Sequence, residues 1–597
     1  MFRWIYATLC LLFCTCLAAG EERTKIVCTI GPASNSDEKM TELLDAGMSV
    51  ARLNFSHGTH EEHKVVIEKL KSVRKRAGVP LAILLDTKGP EVRVGQLPSG
   101  SMQLAEGKQY WLVETVKPGN LDEIPINPPI ILKDVKKGTS VLFDDGAISS
   151  TVTKVDPDKG VLIRVNNSGK LSSRKGVNIP DTILSLPNVT EQDEKDIRFG
   201  CRQGVDMMAL SFARSADHIH EVRKILAEEN REDILLIAKI ESWEGIENLE
   251  SIIQAADGIM VARGDLGVEL PLSRVPQLQK QMIHKCFLGG KPSITATQML
   301  ESMINNPRPT RAEVSDVSNA VEDGTSAVML SGETAIGKYP VECVATMRKI
   351  TEEAEKTFDF ESFLIKSLQL PSYDVHSSIA AAAVRSAHNS RAKAIFAVVD
   401  SAKNVRFLSR LRPSIPIVAF TSNEEAYHQL SLYWGVIPIL VSGQDLKDKE
   451  FSKISQIAAE KGIVEDGDLV VITVSEENSG HMTMRNIGPV AFRGGQGFGN
   501  KAAGPAVYVS GPYVHKNVNR KVAIISRCDE RYEPIIQNAA AVVLQNLCED
   551  QASEEHALRL CQKYQTPLVV GISGDCKVSE GEVVIVEPAQ AVGLIGR

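Results

Sequence analysis

Several short stretches of this sequence place groups that could handle phosphate and metal ions just beyond apolar runs. In LLIAKIES, Lys239 and Glu241 stand two apart, so on a strand both side chains point to the same face. The next run ends MVARGDLG, where Gly264 permits close backbone approach and Asp265 adds a second carboxylate. Two carboxylates beside a lysine suit an octahedral Mg²⁺ with positions left open for phosphate and carboxylate oxygens. In ARLNFSHG and LLDTKGPEVR, Asn54, Ser56, Asp86 and Thr87 offer neutral oxygens and one carboxylate. That is hard-cation chemistry, too weakly charged for a tight divalent site and suited to a monovalent ion. Arg52 presents a planar fork to phosphate oxygens. Each feature has a plainer reading. KxE and GD are common surface charges, and Asn54 or Ser56 is as well placed to cap the next helix. Together they fit a metal-assisted phosphoryl transfer, which needs charge neutralisation more than covalent chemistry.

The elements that must position these groups follow from a repeated pattern. Eight apolar, β-branched runs lie between residues 25 and 333: TKIVCTIGP, SVARLNFSH, LAILLDTKGP, VDMMALSFARS, DILLIAKIES, GIMVARGDLG, PSITATQML and TSAVMLSGET. Runs this short, bounded by Gly, Pro or polar residues, suit strands buried on both faces of a parallel sheet. Most precede an amphipathic stretch, such as DEKMTELLDAG or SADHIHEVRKILAEEN. Eight strand–helix units predict a closed (β/α)₈ TIM barrel, with its chemistry at the strands' C-terminal ends. The series is interrupted over 90–184 by short alternating segments with turn signals DDG and PDKG, which predict an inserted small β-barrel domain acting as a lid. The barrel then occupies 21–89 and 185–358. A C-terminal α/β domain spans 359–485, with strands expected in AKAIFAVVD, IPIVAFTS, VIPILVS and LVVITVS. Residues 486–597 form a fourth, appended β/α unit, entered through the Gly-rich RGGQGFGNKAAGPAVYVS, expected as a linker.

Hydrophobic residues at 43% and charged residues at 24% are ordinary for a globular chain. A formal net charge of −8 gives no pull toward nucleic acid or an anionic membrane, and no stable membrane association is expected. Residues 1–20, MFRWIYATLCLLFCTCLAAG, have the basic start, apolar core and small-residue end of a secretory signal. The cysteines beyond them are scattered without disulfide or zinc spacing. That favours a mis-extended start or inert leader on a cytoplasmic protein, with export left open.

The segments TKIVCTIGPAS, ARLNFSHG, DTKGPEVR, KIES with GIMVARGDLGVE, TATQMLESM, RPTRAEVSDVSNAV and MLSGETAIGKYP resemble, in order and spacing, the signatures of pyruvate kinase. The resemblance covers roughly residues 23–358 and is less sharp beyond. It implies transfer of the phosphoryl group of phosphoenolpyruvate to ADP, giving pyruvate and ATP, usually in a homotetramer. It implies that Lys239 stabilises the phosphoryl group in flight, that Arg52 holds the phosphate, and that Glu241 and Asp265 bind Mg²⁺ (or Mn²⁺). Thr297, with the backbone around Arg263, Gly264 and Asp265, would position the substrate carboxylate. Asn54, Ser56, Asp86 and Thr87 would take K⁺, and Glu91 is the residue type that the family pairs with K⁺ dependence. Ser331 would belong to the relay that protonates the enolate. Asn54, His57, Arg93 and Lys175 would reach the nucleotide.

Two regions depart from that pattern. The stretch matching the sugar-phosphate effector loop, VVDSAKNVRFLSR, lacks glycine. The tail is similar to the swivelling phosphohistidine domain of phosphoenolpyruvate-utilising enzymes. Its His556, in LCEDQASEEHALRL, sits among acidic residues that would repel an incoming phosphoryl group. A structural module is therefore expected. Dikinase-like chemistry through His556 and a catalytically silent binding protein are the competing readings.

Overall fold

The computed structural model describes residues 23–596, apart from 117–119, 121, 369–373, 448–450, 477–478, 514–515, 547–549 and 573–575. The leader read from residues 1–20 lies outside the described residues. Eight parallel strands close into a barrel: β1 (Lys25–Thr29), β2 (Val50–Asn54), β3 (Ala82–Asp86), β4 (Met207–Leu210), β5 (Leu235–Ile240), β6 (Gly258–Ala262), β7 (Ser293–Ala296) and β8 (Ala327–Leu330). Each pairs with its neighbours in sequence, and β8 returns to β1 through Lys25–Ala327 and Val27–Met329.

The barrel forms because both faces of its strands are apolar. Every residue of β1, β3 and β5 is buried. Alternate residues divide between two environments, as the two-residue period of a strand requires. Ile26, Cys28, Ala51, Leu53, Ile83 and Leu85 pack outward with helix residues such as Met40 and Leu70. Val27, Val50, Ala82, Leu84, Leu235 and Ile237 fill the interior. The same alternation carries the interior face upward into Thr29, Arg52, Asn54, Asp86, Lys239 and Glu241. The chemistry-bearing residues thus sit where the barrel core reaches its mouth.

Between β3 and β4, seven strands form a sheet whose edge strands are Arg93–Val94 and Val177–Asn178. An Arg93–Gly176 bridge and the Val177 N–H donated to the Val92 carbonyl at 2.8 Å nearly close it into a second barrel. Its own core includes Tyr110, Leu112, Phe143 and Val161. The DDG turn places Asp144, Asp145 and Gly146 all at positive φ.

The C-terminal α/β region has the four parallel strands expected: Ala394–Val398, Ile417–Thr421, Val436–Leu440 and Leu469–Glu476. A fifth, antiparallel strand, Ser479–Asn486, was not foreseen. It lies at the edge of the sheet and is mostly exposed or half-buried, so its composition lacks the apolar signal of the others. The remaining chain forms an eight-stranded sheet with separate apolar cores. Here the Gly-rich stretch corrects the linker expectation: it contributes strands Val490–Arg493, Gln496–Phe498 and Ala502–Val509. Its glycines serve close packing. A Cβ at Gly497 would lie 2.0 Å from the Pro588 carbonyl oxygen, and one at Gly494 2.5 Å from that of Val570.

Candidate active site

At the barrel mouth, Lys239 from β5 is almost completely buried among oxygens. Its Nζ lies 3.0 Å from Asp86 Oδ1, 3.0 Å from Glu241 Oε1 and 2.7 Å from Ser211 Oγ. Arg52 Nε donates to the other oxygen of Asp86 at 2.6 Å, and Nη1 donates to Thr29 Oγ1 at 2.9 Å. Side chains from β2 and β5 and the residue after β4 therefore meet at the Asp86 carboxylate of β3, with β1 joined to it through Arg52. Burial alone would discharge these groups, but their mutual fields win. Burial raises the Asp86 pKa, yet Arg52 and Lys239 outweigh it and hold the carboxyl below its ordinary value. Burial presses Lys239 toward neutrality, and Asp86 with Glu241 keeps it charged, above the usual lysine value.

Glu241 behaves oppositely. Its burial dominates over Lys239, and nearby Asp265 adds repulsion, so its pKa is raised. Asp265 is likewise raised by burial, helped by Asp145 and Glu91. Asp265 does not end β6; it lies in the first turn of the helix Arg263–Glu269. Buried Glu241 and Asp265, which lines an open cleft, both resist ionisation and together form a donor set for a divalent cation, because the ion offsets both penalties. Among the described residues no group of three or more His, Cys, Asp and Glu is arranged for a metal. Substrate oxygens and water would complete such a shell.

The monovalent-ion candidates come from adjoining strand ends, with Asn54 directly opposite Asp86 in register. Asn54 Oδ1 accepts the Ser56 N–H at 3.0 Å in a local turn, and the helix that follows is capped by Thr59, so neither Asn54 nor Ser56 fills the capping role offered as the plainer reading. Thr87 Oγ1 accepts the Ser211 N–H at 3.2 Å. Hard oxygens are gathered there, which fits a monovalent cation.

Beyond β7 the chain turns through Thr297 at φ 67° and Gln298 at φ 55°, both non-glycine. The turn is held by Gly264, whose N–H donates to Thr297 Oγ1 at 2.8 Å, and by Arg263, whose Nη2 donates to the Thr297 carbonyl at 2.8 Å. Arg263 also meets Asp316 at 2.7 Å, so its side chain braces the turn and only its backbone is placed for a ligand. Ser331 follows β8, next to Leu330, whose carbonyl accepts from Thr29 Oγ1 at 2.9 Å. The Ser331 N–H donates to Glu333 Oε2 at 2.7 Å, and Glu333, fully buried, accepts the Leu300 N–H at 3.0 Å.

A cleft between the inserted domain and the barrel is lined by Glu91, Arg93, Lys175, Phe212, Trp243 and Asp265 among others, and borders the Lys239 cluster at Phe212, whose N–H is bonded to Glu241. Arg93 Nε donates to Glu91 at 2.6 Å, and Lys175 pairs with Asp144 at 2.7 Å. His57 is exposed on the loop after β2, and its carbonyl faces His63 Nε2 at 2.8 Å. The structure thus joins Arg52, Asp86, Thr87, Lys239 and Glu241 directly, sets Asp265, Arg93 and Lys175 along one cleft, and leaves His57 and Ser331 on separate loops.

Two participants escaped sequence reasoning. Ser211 Oγ donates to the Thr87 carbonyl at 2.6 Å while accepting from Lys239. Phe212, at φ 51°, donates its N–H to Glu241 Oε2 at 2.6 Å. A polar residue just past a strand was the signal used for the other rim positions, and it applies equally to Ser211.

Comparison with known proteins agrees with this geometry. Residues 21–344 match the family model described as pyruvate kinase, barrel domain, and residues 377–487 match pyruvate kinase, alpha/beta domain. The chain is 41% identical over 584 residues to a pyruvate kinase of Bacillus licheniformis, covering 96% of this chain and 99% of that one. It is 42% identical over 560 residues to one of Geobacillus stearothermophilus, covering 92% and 95%. A solved pyruvate kinase from Cryptosporidium parvum superposes with TM-score 0.75 at 37% identity, covering 78% of this chain and 96% of that one. With identity of this order running nearly end to end, this chain belongs to the pyruvate kinase family.

Proposed function

We propose that this chain transfers the phosphoryl group of phosphoenolpyruvate to ADP and, with uptake of a proton by the enolate, yields pyruvate and ATP in the last step of glycolysis. The observation that carries this reading is Lys239, held charged and buried between Asp86 and Glu241 at the mouth of the barrel. A preorganised cation in a low-dielectric site stabilises charge that develops on a transferring phosphoryl group. Arg52, fixed by Asp86 and Thr29, presents its remaining donors to the same phosphate. Thr297 and the amides around Gly264 and Asp265 orient the substrate carboxylate, and Ser331 lies on the proton's route to the enolate carbon.

Glu241 and Asp265 would hold Mg²⁺ or Mn²⁺, and Asn54, Ser56, Asp86 and Thr87 would hold K⁺; bound there, the ions neutralise phosphate charge. ADP enters along the cleft where Arg93 and Lys175 reach it from the inserted domain, with Asn54 and His57 near the phosphates. We further read the appended residues 486–597 as a phosphohistidine-like module without its own chemistry, and the working form as a cytoplasmic homotetramer. All seven cysteines among the described residues are free, and no described helix is long and apolar enough to cross a membrane. The test is a coupled assay of purified protein. Pyruvate formation should require phosphoenolpyruvate, ADP, a divalent ion and K⁺ together, and no turnover with all four present would refute the proposal.

A further inference from the structure

The serine that follows β4 is fixed more firmly than a rim hydroxyl needs to be. Ser211 is 2% exposed. Its N–H donates to Thr87 Oγ1 at 3.2 Å, its Oγ donates to the Thr87 carbonyl at 2.6 Å, and the Thr87 N–H donates back to the Ala209 carbonyl at 3.0 Å. The loops after β3 and β4 are thereby laced together. Their approach is close enough to require glycine: at Gly89, φ 75°, a Cβ would lie 2.8 Å from Ser211 Cβ. Phe212, at φ 51°, turns the chain away and is held by its N–H bond to Glu241 at 2.6 Å. The place of the Ser211 hydroxyl is therefore set by the backbone of two loops.

What that hydroxyl holds is the lysine. An ammonium has three N–H donors, and Lys239 meets three oxygens: Asp86 and Glu241 at 3.0 Å each, and Ser211 Oγ at 2.7 Å. The hydroxyl has one proton to give, either to the Thr87 carbonyl at 2.6 Å or to Asp86 Oδ1 at 3.2 Å. The shorter bond takes it, leaving oxygen lone pairs free to accept from Lys239. The three contacts act differently on the ammonium. A carboxylate beside it opposes the positive field that a phosphoryl group would feel, whereas a hydroxyl holds the nitrogen and leaves its charge intact. Both carboxylates also have other calls on them. Asp86 accepts from Arg52 at 2.6 Å and belongs to the oxygens assigned to K⁺, and Glu241 belongs to those assigned to the divalent ion. Ser211 Oγ is in neither set.

We propose that Ser211 is a positioning residue for the phosphoryl transfer, its hydroxyl keeping the Lys239 ammonium aimed at the transferring group from the fixed point of the Thr87 carbonyl. This role rests on the one given to Lys239 in the proposed reaction. A lysine stem is flexible, and a small misplacement of a charge that must meet the transition state is expensive in rate. Phe212 lines the cleft and Ser211 does not, so Ser211 reaches substrate through Lys239. Loss of the hydroxyl therefore belongs in kcat, where alignment in the transition state is felt, with substrate affinity spared.

Ser211→Ala in the full chain should lower kcat at least about tenfold, with KM for phosphoenolpyruvate within about threefold of the parent and circular dichroism unchanged. Equilibrium dialysis of phosphoenolpyruvate with Mg²⁺ and K⁺ but no ADP should give a Kd within about threefold of the parent. The deciding arm is a double-mutant cycle with Lys239→Met, read by single-turnover formation of labelled ATP from labelled phosphoenolpyruvate. If Ser211 works through the lysine, its loss is nearly silent once the lysine is gone, and the double variant matches Lys239→Met within about twofold. Losses that multiply would mark a general structural role and overturn the proposal. So would Ser211→Ala turnover within about threefold of the parent, or a weaker KM and Kd with kcat intact. A parent that makes no ATP, or one that Lys239→Met leaves unimpaired, would instead refute the phosphoryl-transfer reading itself, and the role of Ser211 with it.

Discussion

Lys239 makes the sharpest test at the scale of single residues. Its neighbours Asp86 and Glu241 keep it charged, so Lys239→Met removes the cation while keeping much of the side-chain volume. Turnover should fall by at least about 10³-fold with the fold retained, read by coupled assay and circular dichroism; turnover within about tenfold of the parent would defeat the assignment. Glu91→Lys tests the monovalent ion. Glu91 faces the cleft and accepts from Arg93 at 2.6 Å, so the substitution supplies an ammonium but strips Arg93 of its partner. The K⁺ requirement should drop, with KM for ADP rising; unchanged dependence in K⁺ and tetramethylammonium titrations would mean the ion lies elsewhere. How these residues come together was legible because the strand period is strict. Once β2, β3 and β5 are placed, Arg52, Asp86 and Lys239 must face inward. Thr297 was harder to place. Nothing in a threonine announces φ 67°, a conformation imposed by Arg263 and Gly264 reaching across from the neighbouring loop.

At the scale of elements, the helix Glu424–Gln429 of the C-terminal domain docks onto the barrel base through buried polar contacts. His428 Nδ1 accepts the Leu81 N–H at 3.3 Å, and Gln429 Nε2 donates to the Asp206 and Asp233 carbonyls at 3.1 and 2.9 Å. Burial, with Arg74 and Lys71 nearby, lowers the His428 pKa to about 3. The unfolded chain, with an ordinary histidine near 6.5, binds the proton more readily. The contribution of His428 is therefore fully present above about pH 6.5 and is lost progressively as pH falls toward 3. His428→Leu should cost about 1–3 kcal/mol at pH 7.5, because the Leu81 N–H is left buried without its acceptor. The gap in melting temperature between variant and parent should narrow from pH 7 to pH 5; a constant gap would show that His428 does not stay neutral. Docking of this kind left little trace in the sequence. Glu424–Gln429 reads as an ordinary short polar helix, and only the barrel's loop geometry makes its histidine a buried acceptor.

At the scale of the whole molecule, the catalytic residues and the appended module are separable by contacts. Every group assigned to the reaction lies between Arg52 and Ser331, whereas the last domain packs around its own cores. The place to divide them differs from what the glycine-rich composition implied. Val490–Arg493 pairs with Val592–Ile595, so ending the chain at Arg493 would strand one edge of the eight-stranded sheet. Ending it at Gly488 instead keeps the antiparallel edge strand Ser479–Asn486 with its partner Leu469–Glu476. The cut removes one polar tie, since Arg493 donates to the Gly467 carbonyl at 2.6 Å and to Asn486 at 3.1 Å. A chain of residues 21–488 should therefore retain turnover within about threefold of the parent, with the loss of a hydrogen-bonded tie showing as a modest fall in melting temperature. His556 should be silent on the same reasoning. It sits in the second turn of the helix Gln551–Tyr564, with Nδ1 2.7 Å from the Ala552 carbonyl and Glu554 and Glu555 immediately before it. A ring tied back to its own helix and flanked by carboxylates is poorly placed to attack a phosphate. Incubation with labelled phosphoenolpyruvate should give no acid-labile, base-stable phosphoenzyme in the parent. If one forms and vanishes in His556→Ala, the module has its own phosphoryl chemistry, and the Gly488 truncation becomes the control that measures how much of the turnover passes through it.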